Sequence, residues 1–156
     1  MHSFMQVDDL DRRLLRLAQS DPTASVPALA KDARMSVAVA RRKLDRLEAA
    51  GVLKGRQAVI DWAALGYAVE VSLRITIDKA QPQGFDQFLA AARDIPEVIE
   101  IQTFLGRVDL RLSVLARDMA HYQELYRDRI LTLPHIADIE ALMHVASVKS
   151  DEGLPI

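Results

Sequence analysis

The sequence predicts an α+β chain in two parts, and three observations carry the prediction. The first third reads as three short helices, the last two joined by a tight turn. Near Tyr67 the apolar period changes from helical to alternating. From there the predicted order of elements is β-α-β-β-α-β.

In the first helix, Leu10, Leu14, Leu15 and Leu17 with Ala18 share one face. Asp8 or Asp9 can cap its start, where a carboxylate also suits the positive end of the helix dipole. Ser20-Asp21-Pro22 ends it, because proline lacks the amide and biases its predecessor away from helix. Ser25 reads as the next N-cap, with Pro27 in the first turn and apolar Ala28, Leu29, Ala30 and Ala33 behind it. A turn of about three residues follows around Arg34-Met35. Ser36 then caps a longer helix that runs to Ala50, where Gly51 stands as its terminating glycine.

Two helices across a tight turn are the helix-turn-helix arrangement, whose second helix enters the DNA major groove. At 100° per residue, Val37, Ala40, Leu44 and Leu47 form the expected buried stripe, with Val39, Arg42, Lys43 and Arg46 on the far side. Arginine bonds guanine bidentately or holds phosphate, and Val39 suits a thymine methyl. The other source of such a pattern is a solvated face on which Arg41 or Arg42 pairs with Asp45. The candidate DNA contacts on this helix are Ser36, Ala38, Val39, Arg41, Arg42, Lys43 and Arg46. Beyond it, two short β-prone runs between Val52 and Ile60 flank Lys54-Gly55-Arg56. That stretch is expected to be a hairpin, a wing whose Lys54 and Arg56 lie on the phosphate backbone. Trp62 to Gly66 reads as a linker turn, with Trp62 as a packing anchor.

In the second part, Val69, Val71, Leu73, Ile75 and Ile77 alternate on one face of a strand. Phe85, Phe88, Leu89 and Ala92 have helical spacing. A strand is expected from Val98 to Leu105, and another over Val108–Leu115 with Val108, Leu110, Leu112 and Val114 together. A second helix carries Met119, Tyr122, Leu125, Tyr126 and Ile130, and a last strand is expected over Ile136–Val148. This is the ferredoxin-like split motif, an antiparallel sheet with helices on one face. No segment remains to cover the other face, so a second copy of the chain is the expected cover, through an apolar contact.

Charge is distributed unevenly. Residues 1–60 carry eleven Lys and Arg against seven Asp and Glu, net +4, and residues 61–156 carry nine against fifteen, net −6. A basic head on an acidic body points to a polyanionic partner. No apolar run approaches the roughly 18–20 residues of a membrane span, and the opening MHSFMQVDDLD lacks the features of a secretory signal. Cysteine is absent, which removes disulfides and thiolate metal sites. His2, His121, His135 and His144 show no metal spacing and adjoin no nucleophile or phosphate loop, so no metal, cofactor or catalytic residue is expected. A cytoplasmic location is expected.

Several stretches, taken in order, resemble the Lrp/AsnC, or feast/famine, family of regulators. They are Leu10-Asp11-Arg12 with Leu14-Leu15; Ser36 through Arg42-Lys43-Leu44-Asp45-Arg46-Leu47-Glu48 to Gly51-Val52-Leu53; Gly106 with Asp109; Leu133-Pro134; and Val148-Lys149 before Leu154-Pro155. The resemblance implies a winged helix-turn-helix, a ligand-sensing α/β domain, dimers that assemble into octamers or similar rings, and amino-acid effectors. Three departures stand out. Arg34 occupies a turn position where relatives often have glycine. Gly106-Arg107-Val108-Asp109 replaces a Gly-Asp-Phe/Tyr-Asp loop. Ile139 and Ala141 replace small hydroxyl residues on the last strand. The loop lies where effectors sit in relatives, so Gly106, Arg107, Val108 and Asp109 are the candidate effector site. In it, loop amides and Arg107 would hold a carboxylate, and Asp109 an α-ammonium. The alternative is an exposed turn with Asp109 bonded to backbone.

The expected organisation is a DNA-binding domain over 1–61, a linker over 62–67 and an effector-binding, oligomerising domain over 68–156. The expected function is a sequence-specific transcriptional regulator. The rivals are a siroheme decarboxylase subunit of the same architecture, and a non-specific architectural DNA-binding protein.

Overall fold

The structure, a computed structural model, describes residues 5–149, 153 and 155. Among the described residues, those up to Val59 together with Lys149, Gly153 and Pro155 form one compact unit and Ile60–Val148 a second, each with its own apolar core.

The first unit is three helices. Asp8 caps α1 (Asp9–Ser20) by a reciprocal box: its carboxylate accepts from the Asp11 amide at 2.7 Å, and its own amide donates to Asp11 Oδ2 at 3.0 Å. Ser25 caps α2 (Val26–Asp32), and Ser36 caps α3 (Val37–Ala49) by accepting from the Val39 amide at 3.3 Å. Leu14, Leu29 and Leu44 meet at the centre, with Ala30, Ala33 and Ala40 letting the helix backbones approach closely. The α2–α3 turn places Arg34 in the left-handed region, at φ 56°. Gly51, at φ 70°, ends α3, and the Val52 and Leu53 amides both return to the Leu47 carbonyl.

The expected hairpin over Val52–Ile60 is not formed: residues 54–60 contain no strand. Val59 is 90% exposed and Ile60 54% exposed, so these apolar side chains lack the packing that would hold a strand there. Gly55 is the one residue of the stretch at positive φ, whereas a two-residue hairpin turn of type I′ needs two. Trp62 is also not buried; it is 40% exposed and precedes a 3₁₀ turn (Ala63–Leu65) that ends at Gly66.

The second unit is a four-stranded antiparallel sheet of β1 (Val69–Ile77), β2 (Val98–Thr103), β3 (Leu110–Ala116) and β4 (Ile136–Met143), in the order β2-β3-β1-β4. The helices α4 (Gly84–Arg93) and α5 (Met119–Leu125) complete the ferredoxin-like motif, and a π-type turn (Tyr126–Ile130) extends α5. Both outer strands stop earlier than alternation suggested, at Thr103 and Met143. Register places Val71 beside Val114, Leu73 beside Leu112 and Ile75 beside Leu110. Phe88 and Ala92 of α4, with Tyr122 and Leu125 of α5, close over that face.

The chain's own helices thus satisfy the sheet's apolar face. The uncovered face is mainly polar rather than apolar, because register sets Ser72 beside Ser113, Arg74 beside Arg111, and Glu140 and Glu100 on the strands flanking them. Cross-strand arginines repel. Here each has a carboxylate partner on its outer side, Arg74 with Glu140 at 3.6 Å and Arg111 with Glu100 at 3.2 Å. Ser113 is buried on this face, and Arg111 Nε is buried with no hydrogen-bond partner among the described residues.

Candidate nucleic-acid interface

Helix α3 buries Ala40, Leu44 and Leu47. Val37, expected in that stripe, is 44% exposed, and Val39 is only half-buried. The buried face is therefore turned away from Val37. Lys43 lies on the opposite flank of the stripe and is drawn in there, with only 13% of its side chain exposed.

The four cations of α3 divide into two pairs. Lys43 Nζ lies 2.7 Å from Asp8 and 3.0 Å from Asp11, and Arg46 bonds the other oxygen of Asp11. Asp11 has no solvent exposure. Lys43 and Arg46, expected to point freely away from the core, are turned back onto α1. The cause is the buried carboxylate, whose desolvation must be offset by charge partners. The hydrogen bond from Lys43 holds the Asp8 carboxyl down to about 2 and, in return, pushes the Lys43 ammonium above its usual range. Arg41 and Arg42 are exposed, and no ion pair joins either to Asp45 or to another described side chain. The open side of α3 presents Val37, Ala38, Arg41 and Arg42, with Ser36 at its tip.

Lys54 and Arg56 lie on the irregular stretch after α3 rather than on a hairpin tip; Arg56 reaches the Ala24 carbonyl at 3.5 Å. On α1, Arg13 donates to the Ala33 carbonyl at 3.2 Å, bringing a further cation to the α2–α3 turn. Periodicity could not show that long-range reach. The positive φ of Arg34, by contrast, was signalled by the turn position it occupies.

In the second unit, the candidate ligand loop runs between β2 and β3. Phe104 and Leu105 are exposed at its tip, as are Gly106 and Arg107, while Val108 is half-buried. Gly106 is not at positive φ, and a Cβ there would meet nothing, so the turn does not demand glycine. Asp109 is inward and bonded: Oδ2 accepts the Ile77 amide at 2.9 Å, and Oδ1 lies 3.6 Å from Lys79. Arg107 contributes its carbonyl, which accepts from Thr76 Oγ1 at 3.3 Å. Near the start of β1 an open cleft of about 430 Å³ is lined by Trp62, Tyr67, Glu70, Leu115 and His144 among others. Sequence reasoning missed it because its walls come from separate segments. His144 pairs there with Glu70 at 3.3 Å; His121 accepts from the Arg117 amide; and His135 lies 2.5 Å from Gln87 Oε1. His2 and Leu154 lie outside the described residues. No group of three or more potential metal ligands occurs among the described residues, and no described helix is long and apolar enough to cross a membrane.

Comparison with known proteins accords with this geometry. A family model for winged helix-turn-helix DNA-binding domains matches residues 7–54, and one for the Lrp/AsnC ligand-binding domain matches residues 70–154. The DNA-binding transcriptional activator DecR of Escherichia coli is 28% identical over 150 residues, 96% of this chain and 99% of that one. The leucine-responsive regulatory protein of Salmonella typhimurium is 29% identical over 150 residues, 96% of this chain and 92% of the relative. The crystal structure of an AsnC-family transcriptional regulator from Agrobacterium tumefaciens superposes with a TM-score of 0.84 at 30% identity, covering 95% of this chain and 96% of that one. The chain belongs to the Lrp/AsnC family of DNA-binding transcriptional regulators.

Proposed function

We propose that this regulator reads specific DNA sites with the open side of α3, self-associates through its sheet unit and answers to an amino acid or similar small acid. The carrying observation is the division of the α3 cations. Arg41 and Arg42 are exposed and unpaired among the described residues, whereas Lys43 and Arg46 are held by Asp8 and Asp11. A free guanidinium on a helix that follows a capped turn is positioned for a guanine edge or a phosphate. Ser36, Ala38 and Val39 flank it, and Lys54 and Arg56 extend the same positive unit. On this reading residues 1–61 are the DNA module, 62–67 the linker and 68–156 the effector and assembly module, acting in the cytoplasm with the DNA.

The comparisons support regulation over the decarboxylase alternative. The amino-acid effector is supported by the matched ligand-binding domain and by the leucine-responsive relative. In the loop, Arg107 is the free charge for a carboxylate, while Asp109 is already bonded to the strand. Self-association, as a homodimer that builds octamers or similar rings, would cover the polar sheet face, where Arg74 and Arg111 sit between Glu140 and Glu100. Such a surface would complement itself under a two-fold axis.

The test is mapping of genomic sites followed by binding to one such site. Arg42→Ala should cost about 1–3 kcal/mol and relax discrimination at one base pair. Arg46→Ala should act mainly through stability. Equal affinity for mapped and scrambled duplexes would instead favour the architectural reading.

A further inference from the structure

We propose that Arg34 and Arg13 form a second DNA contact, a clamp for one backbone phosphate beside the base-reading side of α3. The inference rests on the DNA-binding reading and adds residues outside α3 and the irregular stretch after it.

The argument begins with the turn. Arg34 adopts φ 56°, a region open to glycine without cost but strained for a side chain with a Cβ. The turn is fixed by other groups. The Ala33 amide returns to Leu29 at 2.8 Å, the Arg34 amide to Lys31 at 3.0 Å and the Met35 amide to Ala30 at 2.9 Å, while Ala33 and Ala30 are buried in the core. A glycine would fit this backbone at least as well, so the arginine side chain adds nothing to the turn itself. It is exposed and makes no ion pair or hydrogen bond within the described residues. What it supplies is a free guanidinium.

That charge is not alone. Arg13 reaches from α1 to the carbonyl of Ala33, the residue before Arg34, at 3.2 Å. Arg13 is itself exposed, so its guanidinium stands at the turn from which the exposed Arg34 side chain projects. Arg34 is three Cα steps from Val37, at most about 11 Å, which places the pair at the edge of the surface presented by Ala38, Arg41 and Arg42. A duplex read by α3 carries its phosphates along that edge. A phosphodiester oxygen is the acceptor that a bidentate guanidinium fits best. Asp8 and Asp11 are committed to Lys43 and Arg46, and among the described residues no ion pair joins Arg34 to the exposed Asp32.

The experiment measures binding of the full chain to a labelled mixed-sequence 30-base-pair duplex across a salt series, because a phosphate contact is independent of sequence. The variants are Arg34→Gly, Arg34→Lys, Arg13→Gln and Arg42→Ala, each with its melting temperature. Arg34→Gly should melt a few degrees higher, through relief of the turn, yet bind about three- to ten-fold more weakly. Its log–log salt slope should be shallower by about 0.9, the release expected for one phosphate. Arg34→Lys should keep most of the slope, and Arg13→Gln should lose a similar share. Parental affinity and slope in Arg34→Gly, with Arg42→Ala weakened, would overturn the clamp and leave the DNA reading intact. Weaker binding at an unchanged slope would also overturn it, since that marks altered turn geometry rather than a lost phosphate contact. Failure of the parental chain to bind any duplex would remove the DNA reading and the clamp with it.

Discussion

Lys43 of α3 sets its ammonium 3.0 Å from the carboxylate of Asp11 on α1, a group with no exposure to solvent. With Arg46 on the other oxygen, this one carboxylate ties α3 to α1. Burial makes the arrangement conditional. The buried Asp11 carboxylate is tolerable with its partners and would not be without them.

Removing the carboxylate should therefore cost far more than removing a surface pair. Asp11→Ala is expected to destabilise the helical unit by about 3 kcal/mol, and Asp11→Asn by somewhat less because an amide still accepts from the Asp8 amide. Urea unfolding followed by circular dichroism measures this. Parental stability in Asp11→Ala would mean that the pairing contributes nothing.

The same cluster sets an acid limit. Lys43 holds the Asp8 carboxyl down to about 2, below its ordinary value of 3.8. A depressed carboxyl stabilises the folded state at pH above its unfolded value, and that contribution fades as pH falls from near 4 toward 2. The helical unit should lose stability over this window, and Asp8→Asn should flatten the loss. At the other extreme, the raised Lys43 ammonium contributes stability that is lost as pH rises through its folded value. An acid profile identical in parent and Asp8→Asn would remove the Lys43 bond as its cause.

What was legible in the sequence was local. Asp8, Ser25, Ser36 and Gly51 mark helix ends because capping acts within one turn, and the period-two sets at Val71–Ile77 and Leu110–Val114 name the buried sheet face directly. The position of Lys43 was not legible. A helical wheel gives the direction of a Cβ, but a four-carbon stem can carry the ammonium around to an acid 32 residues away. The hairpin expectation failed for a related reason: β-prone residues such as Val59 and Ile60 form strands only where a partner surface exists. The polarity of the uncovered sheet face follows from cross-strand register, which brings Arg74 and Arg111 together from separate strands.

His135 offers a test of backbone strain. It follows Pro134 at φ 63°, its carbonyl accepts the Asp78 amide at 2.8 Å, and its ring meets Gln87 Oε1. Alanine there keeps the unfavourable φ and loses the ring's hydrogen bond, whereas glycine loses the bond but relieves the φ. His135→Gly should thus be more stable than His135→Ala by about 1 kcal/mol. The reverse order would indicate that the loop relaxes out of the left-handed region. Gly84 packs against this residue, and a Cβ there would stand 3.2 Å from His135 Cβ. Gly84→Ala should accordingly destabilise the sheet unit, despite the better helix propensity of alanine.

The loop between β2 and β3 yields the last prediction, because its two charged residues have different duties. Asp109 Oδ2 accepts the Ile77 amide at 2.9 Å, and the Asp109 amide donates to Ile75 at 3.1 Å, so this residue fastens the loop to the end of β1. Its side chain is only 15% exposed, and Lys79 stands over the other oxygen at 3.6 Å. Asp109→Ala leaves the Ile77 amide unpaired and should cost about 1–3 kcal/mol of stability with or without a ligand. Loss of amino-acid binding in that variant would thus fail to separate recognition from folding. Arg107 separates them: its side chain is exposed, and only its carbonyl holds structure, by accepting from Thr76. Arg107→Ala should leave melting within about 0.5 kcal/mol of the parent while weakening any bound carboxylate ligand by roughly ten-fold or more. Calorimetry with a panel of amino acids, run beside thermal melts of both variants, measures each effect. If a ligand binds the parent and Arg107→Ala equally well, the carboxylate does not sit at this loop, and the cleft beside Trp62, Tyr67 and His144 becomes the place to look.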